Sequence, residues 1–267
     1  MRSQRIGFTG RPTLRKLLII GIGAGNRDHV TVQAINALNA VDVFFTIDKG
    51  EEKAELNRIR REICETYIKD RAYRIVSAPD SERDRTPSSY RSTVRDWHER
   101  RVEIFEAMIA RELKDDETGG FLVWGDPSLY DSTLRIVQQV LARGAVAFAY
   151  DVIPGISSVQ ALAAAHRISL TRIGAPLRIA TGRNLADDSA DQFDDVVVML
   201  DGNCSFNMVK RTDVDIYWGA YLGTADEILI AGDLRQAAGD IEKIRAAARA
   251  RKGWIFDTYL LRRKDGA

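Results

Sequence analysis

The chain has 267 residues, 45% of them apolar and 29% charged, a globular composition with room for one large core or two smaller ones. Its 39 basic and 38 acidic residues leave a net charge of +1, so nothing draws the whole molecule toward nucleic acid or an anionic membrane. Two cysteines, Cys64 and Cys204, and three scattered histidines, His29, His98 and His166, offer neither a disulfide framework nor a metal site.

In chain order, residues 1–14 are basic but lack the apolar stretch of a signal peptide and read as a flexible leader. Residues 16–22 read as a strand. Residues 29–40 read as a helix with Val30, Ala34, Ala37 and Leu38 at helical spacing. A strand over 41–47 leads to a charged amphipathic helix over 51–67 and a short strand over 74–77. The longest helix is expected over 90–113, and Gly119-Gly120 then turns the chain into a strand over 121–124. A helix over 132–142, a strand over 145–150 and a helix over 157–165 complete a βαβα alternation, which predicts a mostly parallel sheet.

Gly174-Ala175-Pro176 breaks this pattern, placing a domain boundary near Ile173. Strands over 196–200, 215–220, 228–231 and 254–261 follow, with a helix over 240–251; their close spacing suggests antiparallel pairing. The arginines of 58–61 and 83–101 are interleaved with acids and read as solvated helix faces. No apolar run is long enough to span a membrane, so a soluble, cytoplasmic protein is expected.

Three apolar runs end in glycine-bearing turns: LLIIGIGAGN at 17–26, FLVWGDPSLY at 121–130 and AFAYDVIPGISS at 147–158. Open α/β sheets bind ligands outside the carboxyl ends of their strands, so three such ends suggest one crevice built from distant segments. The first run is not a dinucleotide fingerprint. Its glycines are Gly21, Gly23 and Gly25, and Asn26 stands where the third glycine is needed, which disfavours a nicotinamide oxidoreductase. In the second, Pro127 fixes φ and the Asp126 carboxylate is suited to capping the turn. In the third, Ser157 or Ser158 suits a helix N-cap, and the lack of a GxSxG elbow and of a spaced His/Asp partner disfavours a hydrolase triad.

In this order and spacing, the three motifs resemble the tetrapyrrole methylase family, S-adenosylmethionine-dependent enzymes of cobalamin and sirohaem synthesis, with relatives acting on rRNA ribose or the diphthamide precursor. The helix segment VTVQAINALNAVDVF at 30–44 fits the same pattern. The segment from Asp48 to Lys53 and MLDGNCSF at 199–206 look like the branch that methylates ring carbon 1 of precorrin-5 and releases acetate. Arg27 departs from the family, which usually has proline there.

The resemblance implies a two-domain α/β fold: residues 15–172 with a mostly parallel sheet, residues 173–267 with a mixed one, the ligand cleft between them, and a homodimer. It implies S-adenosylmethionine as cofactor and S-adenosylhomocysteine as product. By position, Ala24, Gly125, Asp126, Leu129, Ser132, Thr133, Ser157, Ser158, Leu200 and Thr224 would line the cofactor. The partner implied is a small-molecule tetrapyrrole, with no nucleic acid, membrane or metal. Arg27, Arg178 and Arg183 flank cleft-forming loops and suit its carboxylates. Loss of an acetyl group needs a water and a general base, for which Asp28, Asp48, Asp126 and Tyr130 are the candidates. The rival readings are a sibling methyltransferase acting on another tetrapyrrole, rRNA or elongation factor, and an inactive adenosylmethionine-binding homologue.

Overall fold

The computed structural model describes residues 15–48, 54–80, 90–187 and 194–264, so the leader expected over 1–14 and residues 49–53 lie outside the described residues. Strand β1 (Lys16–Gly21) lies between β4 (Thr118–Val123) and β5 (Ala149–Ile153). On the other side of β4 come β2 (Val43–Asp48) and β3 (Arg74–Pro79), giving the order β3-β2-β4-β1-β5 with every pair parallel. The apolar run of β1 shows no polar alternation because both faces are covered. Leu17 and Ile19 pack with residues of α3 (Tyr90–Glu112) and α4 (Thr133–Arg143). Leu18 and Ile20 pack with α1 (Val32–Leu38) and α2 (Ala54–Tyr67) on the opposite face.

The second sheet has the order β6-β7-β10-β8-β9. Its members are β6 (Arg178–Thr181), β7 (Asp195–Met199), β8 (Val214–Ala220), β9 (Ile228–Asp233) and β10 (Asp257–Arg263). Only β6 and β7 pair in parallel, so this sheet is mixed. Helix α6 (Gly182–Asp187) follows β6, and α7 (Leu234–Lys252) buries Leu234, Ile241 and Ala248 against Trp218, Tyr259 and Leu261. The other face is covered by α5 (Ser158–His166), whose Val159 and Leu162 pack with Val197 and Leu260. A polar network sits inside this second layer. Asp257 accepts from Trp218 Nε1 at 3.1 Å and Arg245 Nε at 2.8 Å, and Asp201 Oδ2 accepts from the Tyr259 hydroxyl at 2.7 Å.

Several elements differ from the sequence expectation for identifiable reasons. Asn26 caps a short 3-10 turn over 27–29, and Thr31 then caps α1 through the Ala34 amide at 3.0 Å, so the helix starts later than His29. Gly119 and Gly120 lie inside β4 rather than in a turn, because side-chain atoms of Phe45 and Val41 fill the space a Cβ would need. The register against β1, Lys16 opposite Ala149, carries β5 on to Ile153. Asp233 caps α7 through the amides of Arg235 and Gln236 at 3.0 and 3.1 Å, starting it at Leu234. Trp254 does not open the last strand. Its indole donates to Glu55 at 3.0 Å and its ring stacks edge-on against Tyr221.

Candidate active site

The ends of β1, β4 and β5 meet main chain to main chain. Gly23 and Gly125 form a two-bond bridge, with N–H to O distances of 3.3 and 2.8 Å. A Cβ built on Gly155 would lie 2.1 Å from the Gly125 carbonyl oxygen, and one on Gly21 would lie 2.6 Å from the Gly155 nitrogen. Nothing larger than glycine fits this seam. The first loop also presses against the turn between β8 and β9: a Cβ on Gly25 would meet Thr224 Cγ2 at 2.6 Å, and one on Gly223 the Asn26 nitrogen at 2.9 Å. Arg27 in place of proline leaves the Gly23–Gly125 bridge intact. Its side chain is exposed and its carbonyl accepts from the Tyr67 hydroxyl at 3.0 Å.

Around the seam, Ala24 and Leu129 pack with Val159, Leu162, Leu222 and Leu260, joining the first loop, the Gly-Asp-Pro corner and the second sheet. Ser157 is the N-cap of α5 in a capping box with Gln160. Ser158 accepts from the Thr258 hydroxyl at 2.9 Å, across to β10. Thr224 donates its hydroxyl to the Tyr221 carbonyl at 2.8 Å. Leu200 follows β7 with its side chain exposed and its backbone left-handed at φ 53°, a conformation that costs a leucine about 1–2 kcal/mol. Ser132 starts α4 and accepts from Arg101 Nη1 at 3.4 Å, and the Thr133 amide donates to Asp131 at 2.7 Å.

The candidate bases separate by environment. Asp126 accepts from the Ser128 amide at 2.8 Å and, across the seam, from the Gly155 amide at 2.9 Å. Burial pushes its pKa up, but the Ser128 hydroxyl and these two amides outweigh it and hold the carboxyl below its ordinary 3.8. That suits a permanently ionised clamp better than a proton carrier. Because the folded pKa is lowered, the clamp's stabilisation is complete above 3.8 and is lost as pH falls through the lower folded value. Asp126→Asn is therefore expected to lower stability at pH 7 by about 1–2 kcal/mol, with the gap to wild type closing below the ordinary carboxylate range. Thermal melts across a pH series check this. Tyr130 donates to the Ile179 carbonyl at 3.2 Å, strapping the corner to β6. Asp28 is exposed in the loop after β1, and Asp48 ends β2.

Of the arginines expected to meet substrate, Arg178 begins β6 and Arg183 lies in α6, both exposed and both engaged with another residue. Two neighbours escaped the sequence reading. Arg101, in a stretch read as solvated, is buried, paired with Asp80 at 2.9 Å and stacked 4.5 Å over Trp97. Arg60, read as part of a solvated face, instead donates Nε to the Leu122 carbonyl at 3.1 Å. Burial lowers its pKa, with Asp131 opposing the shift. Burial also pushes the Cys64 thiol up to about 12, which keeps it unreactive. His29 packs its Cβ and main chain against Gly23 and its ring against Gly223, with Nδ1 buried and, among the described residues, without a partner. Among the described residues no group of three potential metal ligands occurs, and no helix is long and apolar enough to cross a membrane.

Known proteins are similar to this chain in sequence and fold. Precorrin-6A synthase [deacetylating] from a Sinorhizobium species is 53% identical over 250 residues, covering 94% of this chain and 96% of its own. A crystal structure of CobF, a cobalamin-synthesis-related protein of Corynebacterium diphtheriae, superposes with a TM-score of 0.81 at 36% identity, covering 94% of this chain and 99% of that one. Uroporphyrin-III C-methyltransferase from Thermus thermophilus, crystallised with S-adenosylhomocysteine, shares the fold at a TM-score of 0.57 and 15% identity, covering 92% of each chain. The pattern describing Tetrapyrrole (Corrin/Porphyrin) Methylases matches residues 16–238. A parallel sheet with a glycine seam at its carboxyl edge, together with a mixed sheet, is thus joined to a family match over residues 16–238, and the chain belongs to the tetrapyrrole methylases.

Proposed function

We propose that this chain is an S-adenosylmethionine-dependent C-methyltransferase that converts precorrin-5 to precorrin-6A, methylating ring carbon 1 and releasing acetate. The observation that carries this reading is the 53% identity to a deacetylating precorrin-6A synthase over 94% of the chain. The glycine seam supports the cofactor half, because it brings the ends of β1, β4 and β5 together main chain to main chain at the carboxyl edge of the parallel sheet, where open α/β sheets take their ligands. Bound there, S-adenosylmethionine supplies an electrophilic methyl group on a sulfonium. Ala24, Gly125, Leu129, Ser132, Thr133, Leu200 and Thr224 form the walls of the site. Asp126, Ser157 and Ser158 hold its loops in place through the hydrogen bonds described above.

The division into residues 15–172 and 173–267, with the cleft between, belongs to the same reading and is supported by the two separate sheets. So does a cytoplasmic homodimer that takes a tetrapyrrole and neither nucleic acid nor membrane. Because the acceptor is an electron-rich ring carbon, no protein nucleophile is required and positioning supplies much of the acceleration. Deacetylation consumes one water, whose activation falls to Asp28 or Asp48, since Asp126 and Tyr130 are occupied in holding loops. Arg27, Arg178 and Arg183 serve the substrate carboxylates from the rim.

The test is incubation of precorrin-5 with methyl-labelled S-adenosylmethionine, followed by mass spectrometry. One labelled methyl gained with one acetate released is expected. Cofactor binding with neither change overturns the assigned reaction and moves the search to other tetrapyrroles.

A further inference from the structure

The two sides of β4 end differently. Toward β1 the pairing runs to Val123, whose carbonyl accepts from the Ile22 amide at 3.0 Å. Toward β2 it stops at Phe45 opposite Phe121, although β2 itself continues to Asp48. The two strands splay, and the Leu122 carbonyl is left without a ladder partner on that side. The chain leaves β2 for α2 on one face and leaves β4 for α4 on the other, the condition under which open α/β sheets form a ligand crevice. This crevice is separated from the cofactor seam of β1, β4 and β5 by the width of β4 alone.

Arg60 fills the splay. Its Nε takes the Leu122 carbonyl at 3.1 Å and its Nη1 takes the Leu56 carbonyl at 3.2 Å, so the guanidinium plane is fixed by main chain at two points. A guanidinium carries five N–H donors, and the remaining three have no partner among the described residues. Nη2, which makes no hydrogen bond among the described residues, is not fully buried, and the Arg60 side chain as a whole is half-buried. The charge that most affects Arg60 is Asp131, whose carboxylate is engaged with the Thr133 amide and forms no ion pair with it. The result is a cation oriented at the splay and without an ion-pair partner among the described residues, the arrangement that suits bidentate capture of a carboxylate.

We propose that Arg60 anchors a side-chain carboxylate of the tetrapyrrole, fixing the ring beside the cofactor from the β2/β4 side. The proposal rests on the reading of the chain as a tetrapyrrole methyltransferase. It makes Arg60 a specificity-determining contact in addition to the rim arginines, and it explains why a charged helix turns one arginine inward.

The test uses the full chain with S-adenosylhomocysteine bound, and uroporphyrin as a stable polycarboxylate tetrapyrrole, followed by fluorescence. Arg60→Lys and Arg60→Gln are expected to weaken uroporphyrin binding roughly 10- to 100-fold while leaving S-adenosylhomocysteine affinity unchanged. The full methyl ester of uroporphyrin is expected to bind wild type and variants alike. In unmodified protein, phenylglyoxal labelling of Arg60, mapped by peptide mass, is expected to be blocked by uroporphyrin and not by its ester. This arm is independent of whether a variant folds. Undiminished uroporphyrin binding by both variants, or absence of protection, overturns the assignment, and so does a parallel fall in S-adenosylhomocysteine affinity, which would give Arg60 to the cofactor. If wild type binds S-adenosylhomocysteine but no tetrapyrrole, the functional reading itself fails, and the Arg60 assignment with it.

Discussion

Replacing Gly155 with alanine is expected to abolish cofactor binding and to destabilise the fold by about 3 kcal/mol or more. The added Cβ would sit 2.1 Å from the Gly125 carbonyl oxygen and 2.9 Å from the Gly21 main chain. Flexible side chains yield to such a clash; these neighbours are backbone, pinned by the Gly23–Gly125 bridge on one side and the Asp126–Gly155 bond on the other. The three strand ends must therefore separate, and the surface proposed for S-adenosylmethionine separates with them. Calorimetric titration with S-adenosylhomocysteine should show a loss of at least about 100-fold, near 2.7 kcal/mol. Gly239→Ala is the matched control. Gly239 lies on the exposed side of α7 with nothing within 4 Å of a built Cβ, so alanine there should stabilise by up to about 1 kcal/mol and leave binding untouched. Binding by the Gly155 variant within a few-fold of wild type would refute the account of the seam.

The second large effect lies away from the cleft. Both carboxylate oxygens of Asp257 face only donors: Oδ2 accepts from Trp218 Nε1 and Arg245 Nε, and Oδ1 from Arg245 Nη2 at 3.4 Å. Asp257→Asn keeps the shape but turns an amide N–H₂ toward one of these donors and leaves the buried Arg245 without its counter-charge. The expected cost is about 3–5 kcal/mol, read as a lower urea midpoint at an unchanged slope. Removing both partners, as in Asp257→Asn with Arg245→Met, should recover part of that loss, because the uncompensated charge is gone. A double variant no more stable than the single one would place the cost in packing around Trp218 instead. Trp218 and Tyr259 sit at the centre of the second sheet, so loss of this network also loosens Leu200 and the turn carrying Thr224.

The architecture was legible where a short-range rule decides it. The apolar runs of β1 and β4 read correctly as strands of a mostly parallel sheet, although β4 takes in Gly119-Gly120, and closely spaced late strands read correctly as antiparallel pairs. The boundaries that moved were set by partners distant in sequence: β5 by its register on Lys16, and Trp254 by Glu55. Within the candidate site, the glycine turns announced themselves, whereas the reason for Gly155 became visible only when three strand ends were superposed. Arg60 and Arg101 could not be separated from their exposed neighbours by charge pattern. Arg58, two positions from Arg60, does lie on the surface, paired with Glu62, and only the splay between β2 and β4 gives Arg60 a carbonyl to reach.

The seam at Gly21, Gly125 and Gly155 is built from main chain, and this shapes how the protein can vary by descent. Main-chain groups are the same in every residue, so drift elsewhere does not alter what they present. Only the arrival of a side chain at one of a few positions does, and its effect is abrupt. Side chains across β4, in the crevice occupied by Arg60, are free to change by degrees. On the proposed reading, heritable variation is thus channelled toward the acceptor side and away from the methyl donor. A chain that matches this one at only 15% of positions shares the same fold.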